Sequence, residues 1–543
     1  MYAIYTNLKS QFNPLASIAL LISFIFSLPL IYILIRLLTD INNLSSKIDF
    51  SETAYAFYNT MTLGIAVTAT SLFLGVFLAW LIARTNIVFK PLLQILIPLP
   101  LAIPSFIIAS TYIIAFRPSG MVYGFLSIFK LNNVLAFEGF FGCFIALVLI
   151  TFPYVYLPTL ARLSMLSTNA EENARMLGHG IFNIFYQITW PQISNAAWAG
   201  AVLTLLYVIG DFGVVQLLGY SNLATNIYAN RLASPITSFM LSMILAIAAI
   251  LIVLIERKYF AKESMFFDAP GGKSKIIDIN KYKYFAAAFA LFIISISLIV
   301  PIIILIEWVY KAAIYEQVGF TTLGSFSFSE ELFEQVSTLL NTFFIAVVTG
   351  VFATITMVPI AYYVQRHSGF LSNIINGIIT SMFAIPGLVI VLASVRFTLH
   401  FGPLEFLYGT ISVMIFAYLI TFGAQSLRSI FAGISVLDEN LESLAKTLGA
   451  NTWKNLSRVQ LPLLLNPIIA GFGLVILSTL KELPVALLAS PVGFKTLATD
   501  VWIDYEDAFL GAAAVSSLCL ITLSLVFNFF LVIRTNKYKN VTS

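Results

Sequence analysis

The stretch EENARMLGHGIFNIFYQITWP, residues 171–191, is charged at its start, broken by glycine in the middle and stopped by proline at its end. Long apolar runs flank it on both sides. A second stretch, ESLAKTLGANTWKNLSRVQLP at 442–462, has the same layout. Gly178 stands against Gly449 and Pro191 against Pro462, both at an offset of 271. A polar, helix-forming segment that recurs in an oily chain points to a sequence written twice, and such repeats decide the architecture.

The likeness extends outward. NTMTLGIAV (59–67) lies against NTFFIAVVT (341–349), LAWLIART (78–85) against IAYYVQRH (360–367), and LAIPSFIIA (101–109) against FAIPGLVIV (383–391). Asn59 thus meets Asn341, Arg84 meets Arg366 and Pro104 meets Pro386, at an offset of 282. The two offsets differ by 11, so the first half carries extra residues before its polar segment. The loop around 117–138 is the expected place for them.

Composition sets the solvent. Of 543 residues, 59% are hydrophobic and 10% charged, with a mean hydropathy of +0.95. Soluble domains carry about 25% charged residues. Too little polar surface remains to cover a water-soluble particle, which makes this a polytopic membrane protein. Twelve runs are long enough to cross the hydrocarbon core, near 15–38, 56–83, 92–116, 139–160, 196–218 and 236–255, then 285–309, 336–364, 371–395, 406–427, 466–489 and 508–533. They are far longer than the strands of a membrane barrel. The first run is too long for a cleaved signal and lacks a small-residue cleavage site.

The expected fold is therefore all-α, with about twelve transmembrane helices in two six-helix repeats. The first unit is 1–255 with its polar segment at 168–191. A cytoplasmic linker follows at 256–284, with a flexible joint at Pro270, Gly271 and Gly272. The second unit is 285–543 with its segment at 435–462. An even number of spans separates the repeats, so they run parallel about an axis along the membrane normal, with a central pathway expected on that axis. Arg84 and Lys90, the linker's Arg257, Lys258, Lys262, Lys273, Lys275, Lys281 and Lys283, and the tail's Arg534, Lys537 and Lys539 fall on one side. Asp40, Asp49, Glu52, Glu316, Glu330, Glu331 and Glu334 fall on the other. The positive-inside rule places both termini, the linker and both polar segments in the cytoplasm. The net charge of +4 then reflects topology rather than an acidic partner, and no nucleic acid is expected.

The polar segments read as short helix–turn–helix units. T-N-A-E (168–171) and S-V-L-D (435–438) suit helix starts, the first with capping-box spacing. Glu171 and Glu172 sit where the helix dipole favours negative charge. Ala170, Asn173, Ala174 and Leu177 share one helix face, as do Leu441, Leu444, Ala445 and Leu448. Gly178 and Gly449 can turn the chain in a left-handed conformation. A second short helix is expected to end near Trp190-Pro191 and Leu461-Pro462, where proline resets the direction into the next span. One such segment alone could be an amphipathic loop at the lipid interface. Two with the same Gly-to-Pro spacing of 13 suggest a pair of docking pegs for a partner with matching sockets.

These residues carry a resemblance. The pattern E-A-A-x-x-x-G-x9-I-x-L-P is the signature loop of binding-protein-dependent ABC importer permeases. The first copy is similar to it at Glu172, Asn173, Ala174, Gly178, Ile188, Trp190 and Pro191. The second is similar at Ser443, Leu444, Ala445, Gly449, Val459, Leu461 and Pro462, with Glu442 one place earlier. Asn for the middle Ala, Trp for Leu and Ser for the second Glu are departures that leave the Gly and Pro anchors. The resemblance implies a type I importer permease fold. It also implies that Glu171, Glu172, Ala174, Gly178, Pro191, Glu442, Ala445, Gly449 and Pro462 form coupling loops that dock on a dimer of cytoplasmic ATPase subunits. KELPVALLASPVGFKTLATDVW (481–502) and GDFGVVQLLGYSNLATNIY (210–228) resemble bacterial ferric-iron permeases, which are commonly two fused units. Thiamine, phosphonate and polyamine permeases share much of the pattern. The resemblance further implies a bacterial inner-membrane protein that works with a soluble binding protein outside. ATP and Mg are then used by the partner ATPase subunits, with no cofactor on this chain.

Charges within spans are expensive and face protein or water. Asp211 and Glu482 correspond at the offset of 271, near the outer ends of the fifth and eleventh spans. They are candidate pathway residues for a cation, or simple anchors of helix ends, with Lys481 beside Glu482. Hard oxygen ligands suit ferric ion, and a pathway must not bind too tightly. Pro104 and Pro386 mark irregular points in the third and ninth spans, either lining the pathway or bending it. Gly64, Gly75, Gly200 and Gly350 suit close helix contact. Cys143 and Cys519 lie in apolar runs, and His179, His367 and His400 are too scattered for a metal cluster.

Rival readings are weaker. The chain has no G-x-x-x-x-G-K-[ST] phosphate loop, as suits a subunit that borrows hydrolysis. A twelve-span secondary transporter would need coupling-ion chemistry beyond Asp211 and Glu482, and would leave the paired segments unexplained. A membrane enzyme would need a catalytic motif, and none is present.

Overall fold

The computed structural model describes residues 14–40, 49–118, 120–128, 136–259, 276–317, 328–367, 369–437, 444–445, 447–449, 458 and 460–539. Among these the chain is helical, with no strand beyond an isolated bridge between Thr85 and Ile277. Among the described residues ten helices are long and apolar enough to cross a membrane, or up to twelve with each of two bent pairs taken as one span. The expected joint at Pro270 to Gly272 lies outside the described residues.

The first repeat supplies α1 (Pro14–Thr39), α2 (Phe50–Arg84), α3 (Lys90–Leu96), α4 (Ser105–Phe116), α5 (Gly139–Met165), α6 (Asn169–Met176), α7 (Trp190–Gly210), α8 (Leu223–Ala233) and α9 (Pro235–Tyr259). The second supplies α10 (Tyr282–Ile294), α11 (Val300–Gln317), α12 (Phe328–Arg366), α13 (Phe370–Ala384), α14 (Gly387–His400), α15 (Ile411–Val436), α16 (Leu461–Leu480), α17 (Leu497–Glu506) and α18 (Leu510–Lys539). The surplus of the first repeat falls in the expected loop. Its chain leaves α4 at Phe116 and resumes at Gly139, whereas the second passes from His400 to Ile411.

Packing divides the chain differently from the sequence repeats 1–255 and 285–543. One compact unit is 47–326, and the other joins 1–46 to 327–543. Each repeat thus lends its first span, α1 in one case and α10 with α11 in the other, to the unit built on the other's remaining spans. In one unit α1 packs on α12, α13 and α14, with Tyr32 edge-on to Phe397 of α14, and Phe26 also meets Phe416 of α15 edge-on. In the other, α11 packs on α4, and Tyr112 on α4 donates to the carbonyl of Ile296.

The core of the 47–326 unit is α2, α5 and α7. Glycines set its spacing. A Cβ on Gly75 would lie 2.8 Å from the Phe152 carbonyl oxygen, and one on Gly200 would lie 2.5 Å from that of Tyr154. No other residue permits such backbone approach, and small-residue contact of this kind holds membrane helices together where there is no hydrophobic drive between them. Gly64 and Gly350 face side chains instead of backbone, a Cβ on each lying 2.8 Å from Leu205 Cδ1 and from Phe472 Cδ2. Ser71 and Thr151 share a hydrogen bond of 3.0 Å across α2 and α5. Outward, α1 exposes Leu21, Phe24, Ile35 and Leu38, a surface suited to lipid and costly in water.

The third and ninth spans are broken. Residues 90–102 meet α4 at 91°, and α13 meets α14 at 107°. Pro104 and Pro386 stand immediately before the second limbs, with φ of −60° and −55°. Proline has no N–H to continue a helix and disfavours helix in the residue before it, so each break sits where the sequence placed an irregular point.

Candidate functional site

In the first repeated segment, α6 starts after Thr168, but the expected capping box does not form. Thr168 Oγ1 donates instead to Glu172 Oε1 at 3.1 Å. Glu171 turns inward and is only 5% exposed. There it meets Arg84, the last residue of α2 and 1% exposed, with Nε to Oε1 at 3.1 Å. Thr189 Oγ1 donates to the same carboxylate oxygen at 3.0 Å, and Arg84 Nη1 donates to the Leu163 carbonyl at 3.1 Å. A buried charge needs a partner, which is why the capping role lost to the ion pair; removing one member of such a pair costs about 3–5 kcal/mol.

Gly178 ends α6 as expected, at φ +85°. His179 N–H donates to the Ala174 carbonyl and Gly178 N–H to that of Arg175, the paired bonds of a Schellman turn. The chain returns through Ile181–Ile184 and a π-helical turn, Phe185–Thr189. The expected stop at Trp190-Pro191 does not occur. The helix runs on as α7, with Pro191 in its first turn. Proline cannot donate to the carbonyl four residues back, and the wider π-turn just before it absorbs that mismatch.

The segment presents an apolar ridge. Leu177 and Met176 are each 79% exposed and Phe182 85%, with Ile181 and Tyr186 also exposed. Beside it lies an open hollow of about 290 Å³ lined by Ala170, Asn173, Leu177, Asn183 and Gln187. Ala174 packs inward, so the expected helix face is split: Ala174 is buried while Ala170, Asn173 and Leu177 are exposed.

The second segment shows the same split at its described residues. Ala445 is buried and Leu448 is 88% exposed, and Gly449 has φ +80°. Residues 458 and 460 are π-helical, and Pro462 lies in the first turn of α16. Ser435 does not begin a helix. It lies in the last turn of α15, where its hydroxyl bonds back to the Ala432 carbonyl. Glu442, Ser443 and Val459 lie outside the described residues.

The structure also brings together Asp211 with the break at Pro104. Asp211 is buried at the end of α7, its Oδ2 accepting from Ser105 Oγ at 2.6 Å and its Oδ1 from Val214 N–H at 2.9 Å. Glu482, half-buried after α16, lies against Gly387, beside Pro386. Each carboxylate thus sits at the N-terminus of the second limb of a broken span, where the helix dipole favours it. Among the described residues no cluster of His, Cys, Asp or Glu could hold a metal ion.

Sequence reasoning found Glu171, Gly178, Asp211 and the prolines, and missed Arg84, Thr189 and Ser105 as their partners. Arg84 carried a signal, since it closes an apolar run and repeats as Arg366.

The family described as binding-protein-dependent transport system inner membrane component matches the chain twice, at 71–256 and 346–539. The Fe(3+)-transport system permease protein FbpB 2 of Haemophilus influenzae is 28% identical over 524 residues, 94% of this chain and 96% of that protein. The sulfate transport system permease protein CysW of Escherichia coli is 26% identical over 213 residues, 38% of this chain and 71% of its own length. The molybdenum transport system permease protein ModB of Haemophilus influenzae is 30% identical over 156 residues, 28% of this chain and 67% of its own.

Proposed function

The chain belongs to the family of binding-protein-dependent transport system inner membrane components, as an ABC importer permease with the family's unit present twice, and from that premise we propose that its cargo is ferric ion. The observation that carries this reading is lengthwise similarity. The ferric-iron relative matches across both repeats, 94% of the chain, while the sulfate and molybdenum relatives match less than half of it. The iron arrives from a soluble binding protein outside, and a pair of ATPase subunits on the cytoplasmic side supplies the energy.

The repeated segments are the docking elements for those ATPase subunits. Leu177, Phe182 and Leu448 project apolar surface that water does not favour, which suits a groove on a partner protein. Gly178 and Gly449 shape the turn, Ala174 and Ala445 seat the short helix, and Pro191 and Pro462 lead into the next span. Glu172 and Glu442 take part in the same loops. The segments, the linker and both termini face the cytoplasm. Asp211, Glu482, Pro104 and Pro386 belong to the elements that line the route, with the breaks at the prolines giving it two limbs that can tilt.

Uptake by a strain lacking this chain, complemented with it, tests the cargo. Ferric ion, sulfate, molybdate, thiamine, phosphonate and a polyamine are supplied in turn. Restoration of ferric uptake alone supports the reading, and restoration of another cargo in its place ends it.

A further inference from the structure

Arg84 is the last residue of α2, and its guanidinium is gripped from several sides. Its Nε reaches Glu171 on α6 and its Nη1 the Leu163 carbonyl near the end of α5, both at 3.1 Å. Its main chain is held too. The Arg84 carbonyl accepts from Ile277 N–H at 2.8 Å, and Asn86 N–H donates to the Ile277 carbonyl at 3.2 Å. The Asn86 side chain then bonds Asp278 Oδ1 at 2.6 Å and accepts from Ile279 N–H at 3.1 Å. The run that leads into α10 is therefore laced to the end of α2.

Anchoring a helix at the membrane surface needs none of this. An arginine there can reach water with its head group at little cost. This one is instead buried and paired, an arrangement that fixes geometry more than it adds stability. The second limb of the segment joins the same point. Thr189 donates to Glu171, and Phe185 of the π-turn packs edge-on to Trp80, one turn before Arg84, with ring centroids 6.3 Å apart. Both limbs thus grip the end of α2.

The second repeat keeps the arginine, and Glu442, the counterpart of Glu171 at the offset of 271, lies outside the described residues. Arg366 ends α12 and sends Nη2 to the Leu437 carbonyl, just past α15, at 3.4 Å. Tyr362 stands at the place of Trp80, and its hydroxyl accepts at 3.0 Å from Gln460, which stands at the place of Thr189.

We propose that Arg84 is a positioning residue for coupling: through Glu171 it makes the first repeated segment and the end of α2 one rigid piece, so that displacement of the segment is delivered to the second span. This rests on the segment being the ATPase docking element. The planar fork of arginine serves Glu171 and Leu163 together, which the single point charge of lysine cannot do.

The test uses the complete complex in proteoliposomes: this chain, its ATPase subunits and its binding protein. Three quantities are read. They are ATP hydrolysis, uptake of whichever of ferric ion, sulfate and molybdate the unmodified chain transports, and a disulfide between a cysteine placed by Asn183→Cys, exposed beside the apolar ridge, and a cysteine in the ATPase groove. In Arg84→Gln and in Arg84→Lys the disulfide still forms and hydrolysis stays within about twofold, while uptake per ATP falls about tenfold or more. Arg84→Lys keeps the charge and hence the fold if the glutamine variant fails to assemble. A residue that merely holds structure lowers uptake and hydrolysis together. An unchanged ratio of uptake to hydrolysis in Arg84→Lys, with the disulfide present, overturns the proposal alone. Absence of the disulfide in the Arg84 background removes the docking reading, and this proposal with it.

Discussion

Ser105 Oγ donates to Asp211 Oδ2 at 2.6 Å, and this contact is rewritten in the second repeat. There Gly387 takes the place of Ser105 and Glu482 the place of Asp211. Glu482 Oε1 lies 2.6 Å from where a Cβ on Gly387 would be. One repeat uses a longer residue at the break and a shorter acid. The other removes the side chain and lengthens the acid by one methylene, filling the same space. Gly387→Ser should therefore displace the Glu482 carboxylate without breaking the backbone, lowering stability by about 1–2 kcal/mol. Gly387→Ser with Glu482→Asp should recover most of that loss, giving a coupling energy of about 1 kcal/mol or more. Thermal unfolding of the four proteins in detergent measures it, and additive losses would contradict the exchange.

Gly178 and Gly449 sit at φ +85° and +80°, and a Cβ added to either would have nothing within 4 Å of it. Space is free, so only backbone strain opposes substitution. Valine there costs about 1–2 kcal/mol, whereas asparagine tolerates the conformation. Gly178→Val and Gly449→Val should insert normally, yet lose transport because the turn between the two limbs is misdirected. Gly178→Asn should keep most of it. Unimpaired uptake in both valine variants would count against the docking role.

Phe182 is 85% exposed and touches little of its own chain, so Phe182→Ser should shift the stability of the isolated protein by no more than about 0.5 kcal/mol. Affinity for the ATPase subunit should fall about tenfold or more, as expected for an aromatic anchor lost from an interface. Co-purification at graded detergent-complex concentrations reads the second effect, and unfolding the first. Loss of both together would mean that Phe182 is a folding residue.

The legible parts of this molecule are those with a local or repeated signal. Apolar runs of about twenty residues reveal spans whatever they pack against. Gly178 and Gly449 were readable because a helix that must turn sharply has few residues to choose from. Pro104 and Pro386 marked the breaks, though not their angles of 91° and 107°. The exchange of first spans was invisible. Both α1 and the α10–α11 pair are apolar around most of their circumference, and such helices carry no stripe that names a neighbour. The pairing of Arg84 with Glu171 spans 87 residues, and Glu171 also satisfied a local capping rule. A local rule offers an answer wherever its spacing occurs; only the burial of Arg84 shows that the long-range partner wins.

Asp504 on α17 lies outside the spans, and its carboxyl is pushed up to about 7, first by burial and then by Asp500, Glu331 and Asp507, with Lys495 opposing. Lys495 is itself engaged with Asp500 at 3.3 Å, and Gln335 of α12 and Ser516 of α18 bond the same residue, so little positive charge is left for Asp504. Between about pH 4 and 7 the unfolded chain releases the Asp504 proton and the folded chain keeps it, so stability falls as pH rises through that window and the penalty is complete above it. Asp504→Asn stays neutral throughout. It should leave stability unchanged at pH 4 and raise it at pH 8, by about 1 kcal/mol after allowance for solvent screening of a partly exposed group. Unfolding curves of the two proteins at both pH values decide the matter. A gain of equal size at pH 4 would show that the asparagine acts by packing and that the Asp504 proton is not held.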